Sequence, residues 1–180
     1  MVRFSLLHSG GRVPAGFKNP PLHSCKKTGY TPFVSVDITR RNSGKRIASR
    51  KLKKLAERIL QLLGKESAEL SLVLVGNDEI QKLNFKFRGK DYATDVLSFP
   101  FENDLPGPER LLGDVIISVE KAREQAKERG RSFDEEMVTL LIHGVVHLLG
   151  YDHERSAKDA RAMTRLEKRI YRALCEQEIL

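Results

Sequence analysis

The sequence predicts an α+β fold, a single domain in which a mixed sheet of about four strands is packed with helices and a central helix carries a metal site. Three observations carry this. FVSVDI from Phe33, SLVLV at 71–75, DVLSF at 95–99 and DVIISV at 114–119 show the alternation or the short apolar run of strands. Longer stretches with apolar residues at helical spacing stand between and after them. At 180 residues with 40% hydrophobic content, the chain can bury one real core and is too short for two comfortable ones.

Residues 1–31 mix Gly, Pro, Ser and Lys without periodicity, including GG at 10–11 and PP at 20–21, and read as a disordered extension ahead of a domain at 32–180. After the first strand and the basic turn RRNSGKR at 40–46, Ile47, Leu52, Leu55, Ala56, Ile59, Leu60 and Leu63 follow helical spacing up to Gly64, with cations on the outer side. Asn77 is expected to cap a short helix through Phe87 that ends at Gly89. An acidic, proline-containing connection at 100–110 joins the third and fourth strands. A helix from Glu120 to Arg129 stops at Gly130, and Ser132 with Glu135 makes a capping box for the next one. Ser156 caps a last helix to about Cys175, with Ala160, Met163, Leu166, Ile170 and Leu174 inward.

The net charge of +8 is unevenly spread, since residues 1–58 hold 14 lysines and arginines against only Asp37 and Glu57. Clustered cations gain affinity for a phosphate backbone by releasing its condensed counterions, so this half is a candidate nucleic-acid surface; a solvated basic tail and helix face is the plainer alternative. No run approaches the ~20 apolar residues of a membrane span, so no membrane partner is expected. Cys25 and Cys175 are too far apart in sequence to suggest a disulfide framework, which favours a reducing compartment. A cytoplasmic location is the expectation; the lack of acidic residues in 1–31 also fits an organellar import segment, although Arg3 and Arg12 are its only arginines.

The chemistry concentrates in HGVVHLLGYDH at 143–153. His143 and His147, four apart in an apolar run, project from one helix face about one turn apart, and Gly150 lets the chain turn back so that His153 can join them. A lone histidine on such a face is more often a hydrogen-bonded core residue, but three around a helix-stopping glycine are a metal-ligand pattern. Three imidazoles suit one zinc ion per chain, or another divalent metal, and leave a fourth position open, the mark of a catalytic site. The spacing is that of the extended zinc-protease motif, except that Gly144 stands where the catalytic glutamate would follow the first histidine. The loss of that side chain is expected to open room beside the metal, and it argues against a peptidase. Asp95 and Asp114 either orient a ligand imidazole or make strand-end hydrogen bonds; Thr94 and Ser98 either line a groove or satisfy backbone. Asp152 and Glu154 are candidates to take a proton, or to position the loop and the start of the last helix.

HGVVHLLGYDH resembles the three-histidine signature of the YbeY family of metal-dependent endoribonucleases. NFKFRGKDYATDVLSFP at 84–100 resembles the family's second block and LLGDVIIS at 111–118 its third, so the likeness spans about residues 33–175. The resemblance implies cleavage of single-stranded RNA, maturation of the 3′ end of small-subunit ribosomal RNA and ribosome quality control, with the small ribosomal subunit and its proteins as partners and no DNA. It implies His143, His147 and His153 as metal ligands and Arg88 as a catalytic residue. Taken alone, an arginine in the last turn of a helix more often serves the helix dipole; a guanidinium can also grip a phosphate through two parallel hydrogen bonds. A non-catalytic, metal-stabilised RNA-binding factor of ribosome assembly is the alternative, because a basic surface and a bound metal serve binding as well as cleavage.

Overall fold

Four strands and five helices make up the computed structural model, which describes residues 35–41, 49–101 and 111–177. In chain order they are β1 (Ser35–Arg40), α1 (Ser49–Leu62), β2 (Glu69–Val75), α2 (Asn77–Arg88), β3 (Val96–Pro100), β4 (Leu111–Ser118), α3 (Val119–Glu128), α4 (Phe133–Leu148) and α5 (Ala157–Glu176). The expectations for residues 1–31, for strand and helix starts at Phe33 and Ile47, for most of the basic turn and for 102–110 of the acidic connection lie outside the described residues.

The sheet runs β1-β2-β4-β3, with β1, β2 and β4 parallel and β3 antiparallel to β4 at one edge. This is the mixed four-stranded α+β domain the sequence predicts. Alternating side chains divide the strands between two cores. Leu70, Leu72, Leu74, Val96, Val115 and Ile117 face the large one, built with α1, α3, α4 and α5. Val75, Leu97 and Ile116 face a small one under Ile80 of α2, with Val73, Leu83 and Phe99 at its margin. α2 and α4 therefore cover opposite faces, and both pack against β3 and β4.

α4 is the central helix. It touches β3 and β4 on one side and α1, α3 and α5 around it. Its caps are set locally: Ser132 accepts from the Glu135 amide while Glu135 accepts from the Ser132 amide, the expected capping box. Its helicity comes from packing. Gly144 costs about 1 kcal/mol of helix propensity against alanine and each valine a few tenths. Burial of Leu140, Leu141, Ile142, Val145 and Val146, at roughly 1.5–3 kcal/mol apiece, outweighs that several-fold.

Two local expectations are corrected. Asn77 does not cap α2: the N-cap is Gly76, without a side-chain bond, and Asn77 is the first helical residue. Its Oδ1 accepts from Ser118 Oγ at 2.7 Å and its amide donates to Glu120 Oε2 at 2.7 Å, so tertiary partners at the start of α3 outbid the local cap. Gly144 does not open room beside the metal site. It is buried against the sheet, where a β-carbon would lie 2.6 Å from Val115 Cγ1 and 3.3 Å from Ser98 Oγ, and Ser98 Oγ donates to the Gly144 carbonyl at 3.1 Å. The missing side chain is what lets α4 sit this close to β3 and β4.

Val115 is β-branched and stiff, so it cannot turn away from an added methyl. Gly144→Ala is expected to destabilise the domain by about 1–3 kcal/mol, the usual cost of overpacking, measured by denaturant titration. In a Val115→Ala background the same substitution should cost markedly less; an equal cost in both backgrounds would refute the close-contact account.

Candidate metal centre

The end of α4 presents His143 and His147 on one face. α4 stops at Leu148, and Gly150 takes φ 86°, a left-handed turn that side chains resist, while its amide bonds the His147 carbonyl at 2.9 Å. The chain then doubles back through Tyr151 and Asp152. Asp152 is buried, and its Oδ1 accepts from the Glu154 amide at 2.8 Å while Oδ2 pairs with Arg155 Nε at 3.3 Å. With both oxygens engaged, Asp152 ties the loop to the residues that follow His153. That loop delivers His153, and Ser156 then caps α5 by accepting from the Asp159 amide, as expected.

One ring nitrogen from each of His143, His147 and His153 lies within 4.8 Å of the other two, so the group could hold a metal ion. The Nε2 atoms of His143 and His147 are 3.1 Å apart. Tetrahedral nitrogen ligands at about 2.0–2.1 Å from zinc are themselves about 3.3 Å apart, so the spacing fits that donor set. Burial, and then the neighbouring His143 and His153, push the His147 pKa down to about 2, which keeps it in the neutral, ligating form.

A carboxylate orients this cluster, but not one the strands supply. His143 Nδ1 lies 2.6 Å from Glu167 Oε1 on α5, leaving Nε2 toward the other two imidazoles. Asp95 is instead a strand-end group: buried, it accepts from Thr94 Oγ1, the Val96 amide and Gln125 Nε2. Asp114 is exposed on β4. Thr94 and Ser98 satisfy polar partners in the interior. Sequence reasoning missed Glu167, although its placement four positions after Met163 and one after the inward Leu166 put it at the border of the α5 core stripe.

Arg88 ends α2, with Gly89 as its C-cap. It is near enough to the cluster for its charge to lower the His147 pKa. Partial burial pushes the guanidinium itself below its ordinary value, while Glu154 and Tyr92 pull it back up. Its Nη2 is buried and finds no acceptor among the described residues. Glu154 is exposed, and its carboxylate is the one that acts on Arg88.

His143 and His153 open on a cleft of about 630 Å³ between α4 and α5, whose walls also carry Arg129, Arg131, Lys168 and Arg172. These cations belong to residues 59–180, which hold 18 lysines and arginines against 22 acidic residues, so composition by halves could not reveal them. Of the basic stripe expected on α1, Arg50, Lys53 and Lys54 are exposed.

The sequence of the Endoribonuclease YbeY family matches this chain over residues 37–175. The chain belongs to the YbeY family. An endoribonuclease YbeY from Sulfurihydrogenibium sp. (strain YO3AOP1) is 46% identical over 133 residues, 73% of this chain and 88% of that one. Another from Aquifex aeolicus is 42% identical over 126 residues, 70% and 83% of the two chains. The solution structure of TM1509 from Thermotoga maritima superposes with a TM-score of 0.55 at 31% identity, covering 79% of this chain and 91% of that one. The histidine cluster, Arg88 and the basic cleft all fall inside the span shared with the YbeY family.

Two outcomes follow. Glu167→Ala should weaken divalent-metal affinity about 10- to 100-fold, the usual effect of removing a carboxylate behind a ligating imidazole, as read by competition with a chromogenic chelator. Arg129 pairs with Glu136, which is fully buried and whose pKa burial raises, Arg129 and Arg131 opposing. A raised folded-state pKa means stability present at low pH and lost as pH climbs past the unfolded value. Arg129→Ala raises it further, so the variant should match wild type near pH 4 and fall behind by roughly 1–3 kcal/mol at pH 7, below the 3–5 of a fully buried pair because Arg129 is half exposed. Denaturation midpoints across that range test it; a penalty independent of pH would contradict it.

Proposed function

We propose that the protein is a zinc-dependent endoribonuclease that cleaves single-stranded RNA, acting in 3′-end maturation of small-subunit ribosomal RNA and in ribosome quality control. The observation that carries the catalytic part is the juxtaposition of His143, His147 and His153 with a guanidinium whose buried Nη2 lacks an acceptor. The ribosomal part rests on family membership, which also makes the small ribosomal subunit and its proteins the expected partners and the cytoplasm the expected location.

In this reading His143, His147 and His153 hold one zinc ion, or another divalent metal. Zinc held there supplies Lewis-acid polarisation of a phosphate oxygen and makes water acidic enough to react at neutral pH. The chain's own groups do the rest. Arg88 binds the scissile phosphate, completing its hydrogen bonding, and offsets the charge that grows on the phosphate oxygens. Glu167 fixes the His143 tautomer, and Asp152 fixes the loop that carries His153. Glu154, exposed beside Arg88, is the carboxylate left to accept a proton. Arg129, Arg131, Lys168 and Arg172 along the cleft bind the backbone phosphates of the strand.

A peptidase is disfavoured on structural grounds as well as chemical ones, because the position of its general base is Gly144, wedged against Val115 with no space for a side chain.

The test is cleavage of a structured ribosomal RNA fragment by metal-analysed protein. Arg88→Ala should lower kcat about 10²- to 10³-fold, the effect of removing one transition-state donor, with metal retained. His147→Ala should lose both metal and cleavage while circular dichroism shows a folded domain. Retained cleavage in both variants would sink the assignment, and retained ribosome assembly with His147→Ala in the cell would favour the non-catalytic assembly factor.

A further inference from the structure

Two exposed aromatic residues stand within four positions of Arg88 and are outside both cores of the described residues. Phe85 is 59% exposed and Tyr92 40%. Phe87, also at the surface, is accounted for: its ring meets Phe99 edge to face at 5.0 Å over the margin of the small core, with Lys86 Nζ 5.0 Å from its centroid. Phe85 packs against no other ring among the described residues. It precedes Arg88 by three positions, so ring and guanidinium share one face of α2, their β-carbons about 5–6 Å apart. Tyr92 lies near enough to Arg88 to act on its charge, and the Asn84 side chain holds its backbone carbonyl at 2.8 Å, tying the loop after α2 to the helix. Phe85 thus shares a helix face with Arg88, and Tyr92 follows in the loop that Asn84 ties back to that helix.

Scattered exposed apolar residues are ordinary. Two exposed rings close in sequence to an arginine with an unsatisfied buried nitrogen, on a helix that also carries exposed Lys82 and Lys86, are the interleaving of cation and aromatic face that unpaired nucleic acid recognises. A protein partner would bury these rings against apolar side chains and gain little from the lysines. Bases paired in an A-form helix are stacked on one another, with no free face to offer a ring.

We propose that Phe85 and Tyr92 form a stacking platform for unpaired nucleobases on either side of the phosphate held by Arg88, making the site selective for single-stranded over duplex RNA. This rests on the ribonuclease reading above and adds the residues that carry its strand selectivity. Arg88 fixes the phosphate; the rings fix the sugar-base units around it, which aligns the bond to be broken.

The experiment uses full-length, metal-loaded protein, a labelled single-stranded oligoribonucleotide containing 2-aminopurine and the same strand annealed to its complement. Wild type should bind and cleave the single strand in preference, with 2-aminopurine fluorescence quenched on binding. Phe85→Ala and Tyr92→Ala should each raise Kd and KM for the single strand about 5- to 100-fold, the range for loss of one base–aromatic stack. The effect on kcat should be smaller, and metal content and Tm should be retained. Phe85→Trp should restore affinity and quenching, and Phe85→Leu, equally apolar but without a π face, should not. Rescue by leucine, or a Phe85→Ala/Tyr92→Ala double variant with wild-type Kd, KM and strand preference, would overturn the platform while leaving the ribonuclease reading intact. A wild-type protein that neither binds nor cleaves the single strand would overturn both.

Discussion

The close seating of α4 on β3 and β4 is the constraint on which the rest depends. A helix carrying two imidazoles of a candidate metal site one turn apart can present them at fixed separation only if it cannot roll, and α4 is packed by the sheet, α1, α3 and α5. Gly144 sets how near it comes: its bare α-carbon accepts Val115, and its carbonyl takes the Ser98 hydroxyl. With one side of the helix locked into the sheet, the ring of His143 is turned toward α5. Glu167 meets it there and fixes which nitrogen faces the cluster.

Much of this was legible in the residues. The histidine spacing, the turn at Gly150, the capping box of α4, the Ser156 cap and the apolar stripe of α5 are short-range patterns, and short-range patterns survive folding when nothing competes with them. Asn77 shows the opposite case. A good capping residue in the right place surrendered that role because Ser118 and Glu120, more than forty positions away, offered its side chain and backbone better partners. Glu167 was hidden for a related reason. Its spacing from His143 carries no periodic signal, since the two meet only through the packing of α4 on α5.

Gly144 is the instructive error. Comparison with the zinc-protease pattern draws attention to the carboxylate that is absent, and suggests that its absence serves the substrate. In the fold the position points at the sheet. Its smallness serves packing, and the same tight seating leaves no space for the carboxylate a peptidase would need there. The charge distribution misled in a similar way: a sum over half the chain cannot see that Arg129 and Arg131, from the loop between α3 and α4, converge on one cleft with Lys168 and Arg172 of α5.

The site is assembled from both faces of the sheet. The histidines stand on the heavily buried side, where the large core holds them rigid. Arg88 arrives on α2, which is anchored by the small core and by the bond from Asn84 to the loop after it. Few buried apolar contacts hold α2, so it has more freedom to adjust than α4 does. A rigid set of metal-holding imidazoles suits an ion that demands fixed geometry. A less constrained arginine and its neighbouring rings suit a substrate whose backbone and bases vary from one strand to the next. The division of the sheet into a large and a small core therefore places the histidine cluster against the more extensive packing and Arg88 on the lighter one, which under the proposed function is the division between metal holding and RNA accommodation.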